Sequence, residues 1–147
     1  MKYPKGIRGR LDKIFSKCVR ERSNWFCEFG DCETNTDYRY RPRGLHCSHF
    51  HGRGHMTLRW NPLNAHAHCA HCHFYVTNNP EEFVIWARLK IGEGSMDILR
   101  ERKRDARIRY RTKDFENMYR HYVTELETMK QKRLDGVVGR IEFQAYD

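Results

Sequence analysis

The 147-residue sequence contains no long apolar run. Its longest wholly apolar stretch is the five residues Phe83 to Ala87, whereas a membrane-spanning helix needs roughly 20. The opening residues Met1-Lys2-Tyr3-Pro4-Lys5 are charged and lack an apolar h-region, so no secretory signal is expected. Without one, the six cysteines do not read as a disulfide scaffold. Hydrophobic residues reach only 39% while charged residues reach 32%. A large buried core is therefore not expected, and the length suits one domain. Internal repeats and low-complexity segments are also missing, which excludes solenoids. A small protein of the cytoplasm is expected.

What is present begins with charge. Lys and Arg number 28 against 19 Asp and Glu, a formal net charge of +9. An excess of this size points to a polyanionic partner, nucleic acid before a membrane surface. The excess is uneven. Residues 1–23 carry +6, residues 24–79 carry +1 and residues 80–147 carry +2. The nearly neutral middle third holds most of the cysteine and histidine, and eight of the nine histidines fall between His46 and His73.

Two close cysteine pairs occur there, Cys27-x4-Cys32 and Cys69-x2-Cys72. This is the spacing of a tetrahedral zinc site. Cys27, Cys32, Cys69 and Cys72 are assigned to one structural Zn²⁺, which would staple a small polar region with little core of its own. Cys47 is an alternative ligand. Cys18 lies on an apolar stripe and reads as a buried thiol.

The chain divides by pattern into three parts: a basic arm and amphipathic helix (1–23), a zinc-stapled core (24–79) and a helical C-terminal region (80–147). Residues 1–10 read as the arm, and Leu11, Ile14, Phe15, Cys18 and Val19 recur at helical spacing through residue 22. Leu45 to Phe50 reads as a strand, Gly52-Arg53-Gly54 as a loop and Leu58-Arg59-Trp60 as a second strand. A short helix then runs through Cys69 and Cys72, with Asn64 as its N-cap. Asn79-Pro80-Glu81-Glu82 opens a helix ending near Ile91. Ser95 caps another to about Arg104, and Thr112 caps a long one to about Arg133. Residues 137–146 form a strand or stay disordered.

Strand, loop, strand and helix bring His49, Asn64 and His73 together. Imidazole titrates near neutrality, as a base for phosphodiester hydrolysis must. A divalent ion offsets charge developing on phosphate oxygens. The constellation His49…Asn64…Cys69-x2-Cys72-His73 resembles the HNH, or ββα-metal, nucleases. The resemblance implies an α+β fold: a small ββα-metal core with a structural four-cysteine zinc site, surrounded by helices. It implies a metal-dependent DNA endonuclease in which His49 is the base, His73 ligates a catalytic Mg²⁺ or Mn²⁺, and Asn64 fixes the loop or ligates that ion.

The similarity extends further. Leu11-Asp12-Lys13-Ile14-Phe15-Ser16, Val19-Arg20-Glu21-Arg22, Ser48-His49-Phe50 and Arg53 to Trp60 resemble the NinG (Rap) family of lambdoid phage recombination proteins, over about residues 11 to 100. That implies a phage endonuclease in the host cytoplasm, acting on branched intermediates such as Holliday junctions, D-loops or forks, with a homodimer for symmetric cutting. Two positions depart from the pattern. Ser48 stands where many HNH enzymes carry Asp, and His73 stands where NinG-like chains commonly carry Asn. His51, His55, His66 or waters are then candidates to complete the ion's ligands, and His51 is also the rival base. His46, His68, His71 and His121 read as structural or exposed.

DNA contacts are expected from Lys5, Arg8, Arg10, Lys13 and Lys17 at one end. Arg39, Arg41 and Arg43 among tyrosines could pair with phosphates and stack on bases, with Arg53 and Arg59 nearer the centre. Two other readings compete: a free-standing homing, restriction or packaging-type HNH nicking enzyme, and a non-catalytic zinc-finger DNA-binding module.

Overall fold

A computed structural model describes residues 5–30, 32, 35 and 44–146. The expected contacts Arg39, Arg41 and Arg43 lie outside the described residues. The first helix, α1 (Ile7–Arg22), starts four residues earlier than the apolar stripe suggested. Gly6, at a φ of 88°, makes the sharp entry that few other residues adopt, and this lets Ile7 to Arg10 join the helix. After α1, Asn24 and Trp25 both take positive φ and turn the chain back, a conformation held by Trp25 Nε1 donating to Glu21 Oε2 at 2.8 Å.

Strand β1 (Leu45–His49) pairs antiparallel with β2 (Ala65–Cys69), with Leu45 opposite Cys69 and His49 opposite Ala65. Leu58-Arg59-Trp60 is therefore not the second strand. It lies in consecutive turns, with the Leu58 amide bonded to the His55 carbonyl and the Asn61 amide to the Leu58 carbonyl. The apolar residues that mimicked a strand are buried for another reason: the Trp60 indole donates to Asp12 on α1 at 2.9 Å. The true strand, Ala-His-Ala-His-Cys, has little β-propensity. It is held as a strand on both sides, by β1 on one and by Glu28 on the other. The Glu28 amide donates to the Ala67 carbonyl at 2.8 Å, and its carboxylate accepts from the Ala67 amide at 2.5 Å.

Helix α2 (Ala70–Asn78) follows directly. Its N-cap is Cys69, whose sulfur accepts from the Cys72 amide, and not Asn64, which ends a 3-10 turn before β2. Helices α3 (Pro80–Ile91), α4 (Glu93–Arg104) and α5 (Thr112–Leu134) complete the chain. α3 and α5 match the expected spans within a residue, whereas α4 is capped by Gly92 and takes the expected cap, Ser95, into its first turn. The buried stripe of α5 (Phe115, Met118, Tyr122, Leu126 and Met129) packs against Leu11, Phe15 and Cys18 of α1. Residues 137–146 form neither a strand nor a helix. Ile141 and Phe143 nonetheless seal this core, and the Ile141 amide bonds to the Arg22 carbonyl. Among the described residues, no helix is long and apolar enough to cross a membrane.

One buried ion network ties the pieces together. Arg22, only 2% exposed, donates to the Pro62 and Ala65 carbonyls at 2.8 and 2.5 Å and lies 3.6 Å from Glu28. Arg140 donates to Glu28 at 2.7 Å from the other side. Burial alone would raise the Glu28 pKa, but His66, Arg22 and the Ala67 amide outweigh it and hold the carboxyl below its usual range. Removing one member leaves a buried charge uncompensated. Arg22→Met is expected to cost about 3–5 kcal/mol, read as a lower urea midpoint. An unchanged midpoint would show that the network does not hold the fold.

Candidate functional site

The Cys27, Cys32, Cys69 and Cys72 sulfurs all lie within 4.8 Å of one another. Cys32 Sγ stands 3.6 Å from Cys69 Sγ and 3.7 Å from Cys72 Sγ. Four thiolates at about 2.3 Å from one zinc ion stand roughly 3.8 Å apart, whereas a disulfide needs roughly 2.05 Å. The Cys69 and Cys72 amides point at Cys27 and Cys69 sulfur from 3.3 and 3.4 Å, as they would toward anionic thiolates. Burial pushes the Cys27 thiol up to about 12 and raises Cys72 as well. Only a cation among them would keep all four ionised at neutral pH. The donor set, the spacing and the amide dipoles therefore fit a closed four-cysteine zinc site. Cys47 lies apart from it, buried among the α1–α5 core residues with its thiol pushed up to about 12.

Beside this cluster runs a cleft of about 270 Å³, lined by Asp12, Phe15, Ser16, Cys47, His49, Gly52, Arg53 and His73. His49 ends β1 on the α1 side, where its ring stacks near Phe15. His73 reaches the cleft from α2. Its Nδ1 lies 2.6 Å from Ser48 Oγ, and its ring lies parallel to His46 at 4.8 Å.

His49 Nε2 sits 2.9 Å from the Arg59 carbonyl. A carbonyl only accepts, so Nε2 carries the proton and Nδ1 carries the lone pair. Burial is the main reason its pKa is lowered to about 4. The ring therefore stays neutral across the neutral range, and it accepts a proton less readily than the near-neutral imidazole expected from the sequence. The same shift has a stability consequence. As pH falls from about 6.5, the unfolded imidazole protonates first and the folded one only near pH 4. His68, lowered to about 3 by burial and by His66, adds in the same sense. Stability is expected to be level above pH 6.5 and to fall progressively from there to about pH 3. Urea midpoints across that range, and imidazole titration by NMR, would check it. A His49 titrating near 6.5 would contradict the half-buried, tethered ring.

Asn64 is fully buried, and its amide closes the loop between the strands. Oδ1 accepts from the His51 amide at 2.7 Å, while Nδ2 donates to the His51 and Leu58 carbonyls at 2.9 and 3.1 Å. It holds the loop that presents Arg59 to His49, and it does not line the cleft. Each buried group left without a partner costs about 1–3 kcal/mol. Asn64→Ala is thus expected to lower the melting temperature and to speed hydrogen exchange at the His51 amide. An exchange rate equal to wild type would exclude the loop-closing role.

The remaining histidines are placed elsewhere. His51 packs beside Phe50 and His55, and burial lowers it to about 4. His66 is buried against Trp86, with Nδ1 3.9 Å from Glu28, which is beyond hydrogen-bond reach. Neither lines the cleft. Arg53 does, exposed and 3.6 Å from Asp12. Arg59 is held by both Asp12 oxygens at 3.0 and 2.5 Å and lies over Trp60. Lys5, Arg8, Arg10 and Lys13 are exposed along the start of the chain and α1. Arg10, Lys13 and Lys17 line a groove with Tyr119.

Asp12 is the cleft residue that pattern reading missed. It is buried, it sits at the cleft and it collects Arg53, Arg59 and Trp60. Its signal was a carboxylate directly beside Leu11 on the buried side of an amphipathic helix, where an acid is rarely tolerated without partners.

Residues 1–132 match the family model described as Bacteriophage Lambda NinG protein. The chain belongs to that family. No curated protein and no solved structure gives a match. For this NinG-family chain, the match covers α1, both strands, the four cysteines and the cleft. It ends within α5, so the Ile141–Phe143 seal lies beyond it.

Proposed function

We propose that this NinG-family protein is a metal-dependent DNA endonuclease of the HNH, or ββα-metal, type. The observation that carries the reading is His49, whose Nε2–H is fixed by a loop carbonyl while its Nδ1 stays unprotonated, sharing one cleft with His73 and the exposed Arg53. His49 Nδ1 takes a proton from a water whose oxygen attacks phosphorus. Arg53 steadies a phosphate oxygen, and Asp12 limits where that guanidinium can go. Asn64 keeps the loop, and so the Arg59 carbonyl, in place. His73, oriented through Ser48, is the helix ligand for a divalent ion. That ion would supply Lewis-acid stabilisation of charge on the phosphate and the departing oxygen.

Its substrate is proposed to be branched recombination intermediates of a phage: Holliday junctions, D-loops or forks. Family membership supports this, together with cations placed to meet backbone phosphates on α1. A homodimer follows for symmetric junction cutting, which needs two active sites. The α5 stripe is already buried on α1, so the dimer contact lies elsewhere.

The test uses a four-way junction, a replication fork and a linear duplex, with Mg²⁺ or Mn²⁺ and with EDTA. Metal-dependent cutting that favours the branched substrates is expected. No cutting of any substrate would overturn the enzyme reading and leave a zinc-stapled DNA-binding module. Equal cutting of all three would overturn the branched-DNA reading in favour of a general nicking enzyme.

A further inference from the structure

α1 presents a second surface, away from the cleft. Asp12, Phe15 and Ser16 face the cleft, whereas Arg10, Lys13, Ile14 and Lys17 line a groove of about 260 Å³ with Tyr119 of α5. At about 100° per residue the two sets point roughly 150° apart around the helix. The groove is the seam between α1 and α5, which run side by side in the same direction: Arg8 lies over Phe115 near both starts, and Arg133 reaches Glu21 near both ends. Exposed arginines elsewhere are neutralised, Arg88 by Glu93, Arg100 by Asp97 and Arg107 by Asp105. Among the described residues, no ion pair engages Arg10, Lys13 or Lys17, and no carboxylate lines the groove. Tyr119 is half-buried, packed against the α1–α5 core and open to the groove. The exposed Arg10 guanidinium stands 5.7 Å from its ring centroid, close to the outer limit of about 6 Å for a cation–π contact, so it is held loosely.

We propose that the α1–α5 groove binds an unpaired segment of a DNA strand, with Tyr119 stacking one base and Arg10, Lys13 and Lys17 holding the adjoining phosphates. An aromatic wall among unneutralised cations is the combination that single strands bind: the cations follow the backbone and the ring takes a base face. Lys13 and Lys17 stand one turn apart, about 6 Å along α1, which sets the cations in a row along the groove. A base inside a duplex is already stacked on both faces and has none to offer Tyr119. A paired arm in the cleft and an unpaired base in the groove are held together only where paired and unpaired DNA meet, as at a fork or D-loop. Preference for branched substrates thus arises at a second site, separated from the cleft by the thickness of α1, about 10 Å. The groove deepens the nuclease reading by naming what is recognised in the substrate, and it rests on that reading only for the cut.

The test is DNA binding by the full, zinc-loaded chain without Mg²⁺ or Mn²⁺, so that cleavage plays no part. A single-stranded oligonucleotide carrying 2-aminopurine and a linear duplex are titrated at fixed salt. Binding of the single strand is expected to quench the 2-aminopurine fluorescence. Tyr119→Leu, which keeps apolar bulk against the core, is expected to weaken single-strand binding about 5- to 150-fold, to abolish the quench and to leave duplex binding little changed. Tyr119→Phe is expected to retain both the affinity and the quench. Lys13→Gln and Lys17→Gln are each expected to reduce the slope of log affinity against log salt by about 0.7. Circular dichroism keeps the comparison to folded variants. Unchanged single-strand binding in Tyr119→Leu, or equal weakening of single strand and duplex, overturns the proposal. A loss confined to the single strand, in a protein that cuts no DNA, would remove the nuclease reading and leave the groove standing. Branch-selective cutting with unchanged single-strand binding in Tyr119→Leu would do the reverse.

Discussion

His49→Ala is expected to lower metal-dependent DNA cleavage by about 10²–10⁴-fold, the usual contribution of a positioned general base. The residual rate should come from the ion and the phosphate contacts, which the substitution leaves in place. DNA binding, measured at fixed salt without a divalent ion, is expected to change little, because His49 is a half-buried neutral ring and the exposed cations lie elsewhere. This split between turnover and binding distinguishes a base from a packing residue. A purely structural imidazole stacked near Phe15 would lower stability and both readouts together. Wild-type turnover in His49→Ala would remove the proposed mechanism, whatever the fate of the metal. His51 is then the residue to examine next, although its ring is directed among Phe50 and His55.

Loss of the cysteine site should have the largest effect on stability. Structural zinc sites contribute apparent binding free energies on the order of 10 kcal/mol, comparable with the whole stability of a small domain. Cys69→Ser is expected to drop zinc from about one ion per chain to near zero. Cooperative unfolding of the β1–β2–α2 region should follow, seen as lost thermal cooperativity. Prolonged chelation of the wild type should have the same effect, and added Zn²⁺ should reverse it. Cys47→Ser is the useful contrast. Its sulfur lies in the α1–α5 core, so it should retain zinc and show only the modest cost of a buried hydroxyl. Full zinc content in Cys69→Ser would dismiss the four-cysteine assignment.

Much of this architecture was legible in the chain. Helices announced themselves by 3.6-residue periodicity and by Pro80, and α5 lies within a residue of where its stripe places it. The cysteine pairs were legible because tetrahedral ligation demands their spacing. The second strand was not. Ala65–Cys69 lacks β-branched residues, and its identity depends on Glu28, 39 residues from the Ala67 it bonds, and on β1, whose partners lie 16 to 24 residues away. The Leu58–Trp60 decoy alternates as a strand should, but a carboxylate on α1 captures Trp60 and Arg59 and holds them in turns. Asn64 looked like a helix cap because the helix was placed one element too early. Its amide serves the loop instead. The His46–Ser48–His73 contact joins residues 25 and 27 positions apart, and only pairing in the correct register brings them together.

Cys69 ends β2, caps α2 and contributes a thiolate, while His73 follows Cys72 directly. The side chain that faces the cleft is therefore mounted on a lever one residue long, bolted at its fulcrum. Positional error grows with the length of unsupported chain between an anchor and a working group. A displacement of about 1 Å can cost roughly a hundredfold in rate. In a larger enzyme, layers of packed core would supply that tolerance. Here the fulcrum is four sulfur atoms, so the accuracy of the cleft would be set by the coordination geometry of the single ion they could hold.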